Sequence, residues 1–155
     1  MNERNGPQQL DHAGIASRIP HRGPMCLLDR VTAWSADRID AVAVNHVDPA
    51  HPLRTSSGLL ASAAIEYAAQ APAVHGALCA SAAGGTASPG FLASARDVRL
   101  AALRLDDLAG ELLVTAERQA ADAGRLLYAF TVRHQGRDIA SGRLAVVLDA
   151  SAVLA

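Results

Sequence analysis

The sequence predicts an α+β fold in which an antiparallel six-strand sheet wraps around one long central helix. One observation is an alanine-rich segment, residues 59–78, whose single charged residue is Glu66, a pattern typical of a helix surrounded by protein. The other is the order of the strand-like segments, because two precede this helix and four with a period of two residues follow it. A sheet that curls around the helix would bury both apolar surfaces.

The length of 155 residues predicts a single domain. Residues 1–11 are polar and are predicted to form a disordered N-terminal lead, residues 12–150 the domain, and residues 151–155 a C-terminal tail. The composition is 50% hydrophobic but only 3% aromatic, so we expect a core built mainly from Ala, Leu, Val and Ile.

The first half of the domain contains the elements that lead to the central helix. A short helix is expected before Pro20, which ends it. Residues 25–34 and 37–47 are apolar with partial alternation and predict two strands. The loop DPAHPLRTSSG follows, and its Ser56 and Ser57 are candidate N-caps for the next helix.

The central helix is predicted over residues 59–78 because alanine has the highest helix propensity. Pro72 lies inside it and predicts a kink near Ala68 or a helix break, since proline removes a backbone hydrogen bond. Turn-forming segments then separate four predicted strands, at residues 91–103, 111–120, 125–135 and 138–149.

Charge and composition exclude several functional classes. The formal net charge is −1 and the pI about 6.6, which argues against nucleic acid as a partner. Cys26 and Cys79 lie far apart, so neither a disulfide framework nor a metal site is predicted. The N-terminus lacks an apolar signal segment and no stretch is predicted to span a membrane, so we expect a cytoplasmic protein.

Glu66 is the main candidate for chemistry because burying an unpaired carboxylate costs several kcal/mol. No other charged residue occurs between Arg54 and Arg96, so a partner for Glu66 must come from another segment or another subunit. Gln70, four residues later, lies on the same helix face, and a hydrogen bond between the two is the structural alternative. The functional alternative is a general acid or base in a pocket.

Two histidines flank this carboxylate in the sequence. His51 lies in the loop before the helix and is a candidate base, although a loop histidine is more often structural. His75 is nine residues after Glu66, which places it on the opposite face of an unbroken helix, in the predicted core.

Two motifs carry a resemblance to a known family. The stretch IPHRGPMCLLDRV, residues 19–31, resembles the LPHRxPxLLVDRV signature of bacterial 3-hydroxyacyl-(acyl carrier protein) dehydratases, hotdog-fold enzymes of fatty acid synthesis. IEYAAQA, residues 65–71, resembles the ExxAQ stretch of their central helix, and is closer to the GIEYMAQA form of a dehydratase-like branch in polyene pigment pathways. The similarity spans residues 15–148 and implies a structural role for His21.

The resemblance implies a hotdog fold and assigns roles to individual residues. Glu66 falls on the family's catalytic acid, and His51 would be the base. The family loop is GHFPG, with its histidine fourteen residues before the acid, whereas here Pro52 has that position and His51 is fifteen residues before Glu66. A backbone N–H near the helix start would polarise the thioester carbonyl, and the candidate substrate-binding residues are Gly58, Ala61 and Gln70.

The leading hypothesis is therefore a 3-hydroxyacyl thioester dehydratase whose substrate is bound to an acyl carrier protein, with no metal or redox cofactor. The resemblance implies a homodimer or larger assembly with a shared site, or a hetero-oligomer with another dehydratase. One alternative, indicated by the altered loop, is a catalytically silent hotdog subunit that pairs with an active dehydratase; another is an acyl thioesterase. Arg96, Arg99 and Arg104 are either a patch that attracts an acidic carrier or solvated surface residues.

Overall fold

The computed structural model of the chain describes residues 8–148. It contains the predicted order of two strands, one long helix and four strands, preceded by a short helix. The elements are α1 (His12–Ala16), β1 (Arg30–Trp34), β2 (Arg38–Ala43), α2 (Ala64–Ala82), β3 (Gly90–Leu100), β4 (Leu112–Asp122), β5 (Arg125–His134) and β6 (Arg137–Leu148). Single turns of 3₁₀ helix occur at Gly23–Met25, Asn45–Val47 and Ala61–Ala63.

The six strands form one sheet in the order β1-β2-β4-β5-β6-β3, and every neighbouring pair is antiparallel. Alternating residues point toward the helix, as Tyr128, Phe130 and Val132 of β5 do, and these three are buried. The α+β architecture predicted from the sequence, a six-strand antiparallel sheet around one central helix, is confirmed.

Helix α2 begins later than predicted and ends later. The predicted serine caps are wrong, because Ser56 and Ser57 are exposed and the N-cap residue, Ala63, has no capping side chain. Instead, Thr55 and Gly58 exchange two backbone hydrogen bonds of 2.9 and 3.0 Å and close a separate turn before the helix. The 3₁₀ turn Ala61–Ala63 then leads into α2, which explains the delayed start.

Pro72 does not break α2. The helix is continuous from Ala64 to Ala82 and the proline ring is buried within it, so of the two predicted outcomes, a kink near Ala68 or a break, the break does not occur. Tertiary packing of the apolar face supplies most of a helix's stability in a folded protein, which offsets the backbone hydrogen bond that proline removes.

The helix is enclosed on one side only. Tyr67, Ala71, Val74 and Leu78 are fully buried against the sheet. The opposite face is half-exposed at Ile65, Ala69, Ala73, Gly76 and Ala77, and Glu66 on this face is exposed. Within residues 8–148 the sheet covers one face of the helix, so the protein that was predicted to surround the helix is not supplied in full by this part of the chain.

The two edges of the sheet differ. Leu10 covers the β1 edge through two backbone hydrogen bonds with Val31, of 3.2 and 2.9 Å. Leu10 is therefore ordered although it falls in the predicted lead, residues 1–11; residues 1–7 and the predicted tail lie outside the described residues. At the other edge β3 pairs with β6 and with no other described strand, and its Phe91 is 58% exposed.

The remaining sequence expectations concern the thiols and the membrane. Cys26 is buried and Cys79 half-buried, and both thiols are free. Over residues 8–148, no helix combines the length and apolar character needed to cross a bilayer.

Candidate functional site

Glu66 lies in the first turn of α2, on the face that the sheet leaves uncovered. Its carboxylate is exposed and makes no hydrogen bond or ion pair with any residue between 8 and 148. A negative charge near a helix N-terminus interacts favourably with the helix dipole. The carboxylate is thus held on a rigid element and is free to contact another molecule.

Gln70 lies one helical turn after Glu66 but is fully buried. Its Oε1 accepts a hydrogen bond of 2.9 Å from the Leu27 backbone N–H, and its Nε2 donates one of 2.7 Å to the Met25 carbonyl. These contacts fix the motif of residues 19–31 against α2. No hydrogen bond joins Gln70 to Glu66 in the described structure, so the structural alternative from the sequence is not observed.

His51 is buried, with 5% of its surface exposed, and both of its ring nitrogens are hydrogen-bonded. Nδ1 lies 3.1 Å from the backbone nitrogen of Leu53. A backbone N–H can only donate, so Nδ1 is the unprotonated nitrogen and the ring proton is on Nε2. Nε2–H then donates to the Tyr67 hydroxyl at 2.8 Å, and this hydroxyl donates to Oδ1 of Asn45.

This hydrogen-bonded chain lies on the inner side of α2. Consecutive helix residues point about 100° apart, and Tyr67 is buried while its neighbour Glu66 is exposed. His51 therefore contacts the face of the helix that Glu66 does not share. Burial lowers the pKa of His51, an effect that the nearby Asp48 opposes, and burial raises the pKa of Tyr67.

A buried carboxylate, Asp106, organises the segment before α2. Its side chain is 3% exposed and accepts hydrogen bonds from the Leu59 backbone N–H at 2.9 Å and from Arg104 Nε at 3.0 Å, while Arg54 lies at 3.3 Å. The Arg104 guanidinium holds the pKa of Asp106 well below its usual range. Gly58 fits here because its φ is +96° and a Cβ would lie 2.6 Å from Asp106 Oδ1.

Asp106 is a residue that the sequence analysis missed, because the segment containing it was interpreted as a turn. The available signal was the spacing of Arg104 and Asp106, two residues apart, which places both side chains on the same side of an extended segment.

The predicted substrate-binding residues have structural contacts within the chain. The Ala61 backbone N–H donates to the Leu103 carbonyl at 3.0 Å, so this N–H already has a hydrogen-bond acceptor within the chain. Gly58 forms the turn against Asp106, and Gln70 binds the 25–27 backbone. Their predicted roles in substrate binding stay predictions.

A second buried histidine–tyrosine pair lies farther along α2. His75 is fully buried, as predicted for a core residue. Its Nε2–H donates to the Ser35 carbonyl at 2.8 Å, so its Nδ1 accepts from the Tyr128 hydroxyl at 2.7 Å. Burial lowers the pKa of His75 and raises that of Tyr128 to about 12.

His46 was also missed by the sequence analysis. It is fully buried, its Nε2–H donates to the Leu108 carbonyl at 2.8 Å, and its Nδ1 has no partner within the described chain. Burial lowers its pKa. It directly follows Asn45, whose Oδ1 accepts the hydrogen bond from the Tyr67 hydroxyl.

The three arginines of the predicted patch do not form one group. Arg104 is bonded to Asp106, whereas Arg96 and Arg99 are exposed on β3. Arg96 stands opposite Arg143 of β6. Residues 8–148 include no cluster of three or more His, Cys, Asp or Glu side chains that could hold a metal ion.

Comparison with known proteins identifies similar chains. A family model described as ApeP-like, ApeP dehydratase, matches residues 13–154. Among curated protein sequences, no significant match was found. The dehydratase heterocomplex ApeI:P from Xenorhabdus doucetiae is similar over 90% of this chain and 93% of the matched chain, with a TM-score of 0.80 and 22% identity.

Two thioesterases are also similar in structure. One, from Haemophilus influenzae, has a TM-score of 0.59 and 12% identity and covers 90% of this chain and 91% of its own. The other, a mutant from Pseudomonas aeruginosa, has a TM-score of 0.53 and 16% identity, over 78% and 80% of the two chains. At such identities these similarities establish the fold alone, and that fold is the predicted hotdog fold.

Proposed function

The chain belongs to the ApeP-like dehydratase family, and from this membership we propose that it is a dehydratase subunit acting on 3-hydroxyacyl thioesters carried by an acyl carrier protein. The observation that supports this most directly is Glu66, an unpaired, exposed carboxylate on a rigid helix, within the motif that resembles the family's catalytic helix. A carboxylate buried in an internal ion pair would be unavailable to a substrate.

The reaction requires two proton transfers. A base removes a proton from carbon 2, next to the thioester carbonyl, and the electron pair forms the new double bond between carbons 2 and 3. The hydroxyl group on carbon 3 leaves with a proton from an acid, as water. Glu66 is the proposed acid, and its place in the first turn of α2 brings it near the positive end of the helix dipole, where an enolate-like oxygen would be stabilised.

The proposed active form is an assembly. Among residues 8–148, no strand pairs with the outer side of β3, which exposes Phe91, Leu92 and Leu100. The face of α2 around Glu66 is half-exposed and apolar. An open sheet edge of this kind is a surface for pairing with another chain. The similar ApeI:P protein is a dehydratase heterocomplex, and we propose that this chain also pairs with a second hotdog subunit.

Two measurements test the proposal. Static light scattering at micromolar concentration should give at least a dimer for this chain, alone or with its partner; a monomer in both samples would contradict the assembly.

The second measurement is an assay of a synthetic 3-hydroxyacyl thioester with the chain alone and with a co-expressed hotdog dehydratase. Formation of the enoyl thioester is expected, whereas release of free thiol without an enoyl product would identify a thioesterase instead.

A further inference from the structure

We propose that Asp106 is a positioning residue for Glu66: its buried carboxylate fixes the segment that leads into α2 and so sets where the first turn of the helix presents the acid. The inference rests on the proposed function, because it requires Glu66 to be the acid. It assigns a role to a residue outside both sequence motifs, in the connection between β3 and β4.

The Asp106 carboxylate has a donor at each of its acceptor positions. An ionised carboxylate offers about four such positions on its two oxygens. Oδ1 accepts from the Leu59 backbone N–H at 2.9 Å and from Arg104 Nε–H at 3.0 Å. Oδ2 accepts from Arg104 Nη2 and lies 3.3 Å from Nη2 of Arg54. The side chain, 3% exposed, therefore joins the loop at Arg54 and the segment before α2 to its own connection.

Two backbone hydrogen bonds continue from this carboxylate toward the helix. The Leu105 N–H donates to the Leu59 carbonyl at 2.8 Å, and the Ala61 N–H donates to the Leu103 carbonyl at 3.0 Å. The two segments are thus antiparallel at this point. The 3₁₀ turn that enters α2 begins at Ala61, where the bridge ends. The start of the helix is therefore placed by the segment that Asp106 holds.

The N-terminus of α2 has no other side-chain support. Neither the 3₁₀ turn nor the helix has a capping side chain, and the N-cap residue of the helix is Ala63. The free N–H groups of an uncapped first turn do not hold it in place. Glu66 lies in that turn, seven residues after Leu59. The position of its carboxylate thus depends on the contacts that precede the helix.

Gly58 shows how closely the turn before α2 fits Asp106. Its φ is +96°, and a Cβ at this position would lie 2.6 Å from Asp106 Oδ1 and 2.9 Å from Oδ2. A side chain at residue 58 would therefore push the carboxylate away from the Leu59 N–H. The glycine leaves room for the carboxylate to reach this backbone group.

Hydrogen exchange in the full chain tests whether Asp106 holds the first turn. In Asp106→Ala the amides of residues 59–64 should exchange faster, while amides in the middle of α2 keep their protection. Asp107→Ala is the matched control, because the Asp107 side chain is exposed and makes no hydrogen bond or ion pair within residues 8–148. Unchanged exchange at residues 59–64 in Asp106→Ala would overturn the proposal.

Asp106→Asn serves as a second variant if Asp106→Ala does not fold. Its amide oxygen can still accept the Leu59 N–H, whereas its amide nitrogen cannot accept from the arginines. Exchange at residues 59–64 should then be faster than in the unsubstituted chain and slower than in Asp106→Ala where both fold. Exchange equal to that of the unsubstituted chain would count against the proposal.

Kinetics test whether the position of the first turn matters for the reaction. They are measured in the sample that forms the enoyl thioester, either the chain alone or its complex with a hotdog dehydratase. Asp106→Ala should lower kcat by about 10-fold to 100-fold, the loss expected for a misplaced catalytic group. A displaced acid affects the transition state more than the bound substrate, so KM should stay within about twofold. Asp107→Ala should change neither constant.

A double variant separates the positioning of Glu66 from a general loss of stability. If Asp106 acts through Glu66, Asp106→Ala adds no loss once Glu66 is replaced, and Asp106→Ala combined with Glu66→Gln has the kcat of Glu66→Gln alone. Losses that multiply in the double variant would overturn the positioning role and leave Glu66 as the acid. Full activity of Glu66→Gln by itself would contradict the proposed function, and this inference with it.

Discussion

His51, in the loop before α2, and Glu66, in the first turn of α2, were expected to form one catalytic pair. Their environments in the structure are opposite. His51 is buried and both ring nitrogens are hydrogen-bonded within the chain, whereas Glu66 is exposed and has no partner in residues 8–148. A motif predicts which residue type stands at a position. The hydrogen bonds decide whether that side chain is available for chemistry.

The same comparison can be made between residues on one helix. Glu66 and Gln70 are separated by one turn of α2, yet Gln70 is fully buried and bonded to the backbone at Met25 and Leu27. Around the circumference of the helix, the exposed face is bounded on the Gln70 side by the motif of residues 19–31, which packs against the helix there.

The largest effect is expected from Glu66→Gln. The substitution keeps the size of the side chain and removes the acid, so kcat/KM for a 3-hydroxyacyl thioester should fall by about 100-fold to 10,000-fold. Glu66 makes no hydrogen bond or ion pair with residues 8–148, and the substitution removes its favourable interaction with the helix dipole, so the unfolding temperature should stay the same or fall slightly. Glu117→Gln, at an exposed position of β4, is the matched control and should change neither quantity.

A loss of folding stability with retained activity in Glu66→Gln would contradict this prediction. It would show that Glu66 is a structural residue with a partner in the assembly. The exposure of Glu66 would then not indicate a catalytic role.

The two buried histidine–tyrosine pairs should differ in their response to loss of the hydroxyl. Tyr67→Phe leaves both the His51 Nε2–H and the Asn45 oxygen without a partner, while Tyr128→Phe leaves only His75 Nδ1 unpaired. Each abandoned buried ring nitrogen costs about 1–3 kcal/mol, and the half-buried Asn45 oxygen adds a smaller loss because water can reach it, so we expect a destabilisation of about 3 kcal/mol for Tyr67→Phe and about 2 kcal/mol for Tyr128→Phe. Urea unfolding measures both. Equal losses would mean that the Tyr67 hydroxyl does not link His51 to Asn45.

Gln70→Leu tests the boundary of the open helix face. It leaves the Leu27 N–H and the Met25 carbonyl without partners, and a destabilisation of about 2 kcal/mol is expected from urea unfolding. Hydrogen exchange at the Leu27 amide should accelerate at the same time. If stability and exchange are both unchanged, Gln70 does not hold this motif in solution.

The smallest effect is the pH dependence of stability. Burial lowers the pKa values of His46, His51 and His75 in the folded chain, so the unfolded chain binds more protons as the pH falls below about 6.5. The stability contributed by the neutral rings is therefore fully present above that pH and is lost as the pH falls toward the folded values. Thermal unfolding between pH 5 and 8 should show a flat region above pH 7 and a decrease below 6.5; a rise on acidification would contradict buried neutral histidines.

Much of the fold could be predicted from the sequence because its signals are local. The period of two residues after position 90 gives the four strands, and the alanine-rich segment gives the helix. The helix start was misplaced because the 3₁₀ turn at Ala61–Ala63 has the same composition as the helix itself. A break at Pro72 was predicted as one outcome because the tertiary packing that keeps this proline in the helix cannot be deduced from local sequence.

The site was predicted less well, because its contacts are distant in sequence. The partner of His51 is 16 residues away, and the partners of Gln70 are 43 and 45 residues away. No local pattern encodes such pairs. The exposure of Glu66 was missed for another reason, since an apolar helix surface predicts burial without indicating whether the covering protein belongs to the same chain.

The central claim is that the exposed Glu66 is available for catalysis and the buried, hydrogen-bonded His51 is not. It is tested most directly by kcat/KM for two variants, Glu66→Gln and His51→Gln, each measured in a complex with a hotdog dehydratase. Glutamine at position 51 keeps an amide N–H that can donate to Tyr67. The account predicts that His51→Gln retains kcat/KM within about threefold of the unsubstituted complex, while Glu66→Gln loses about 100-fold or more. Comparable losses in both variants, with unchanged unfolding temperatures, would contradict it and make His51 the base.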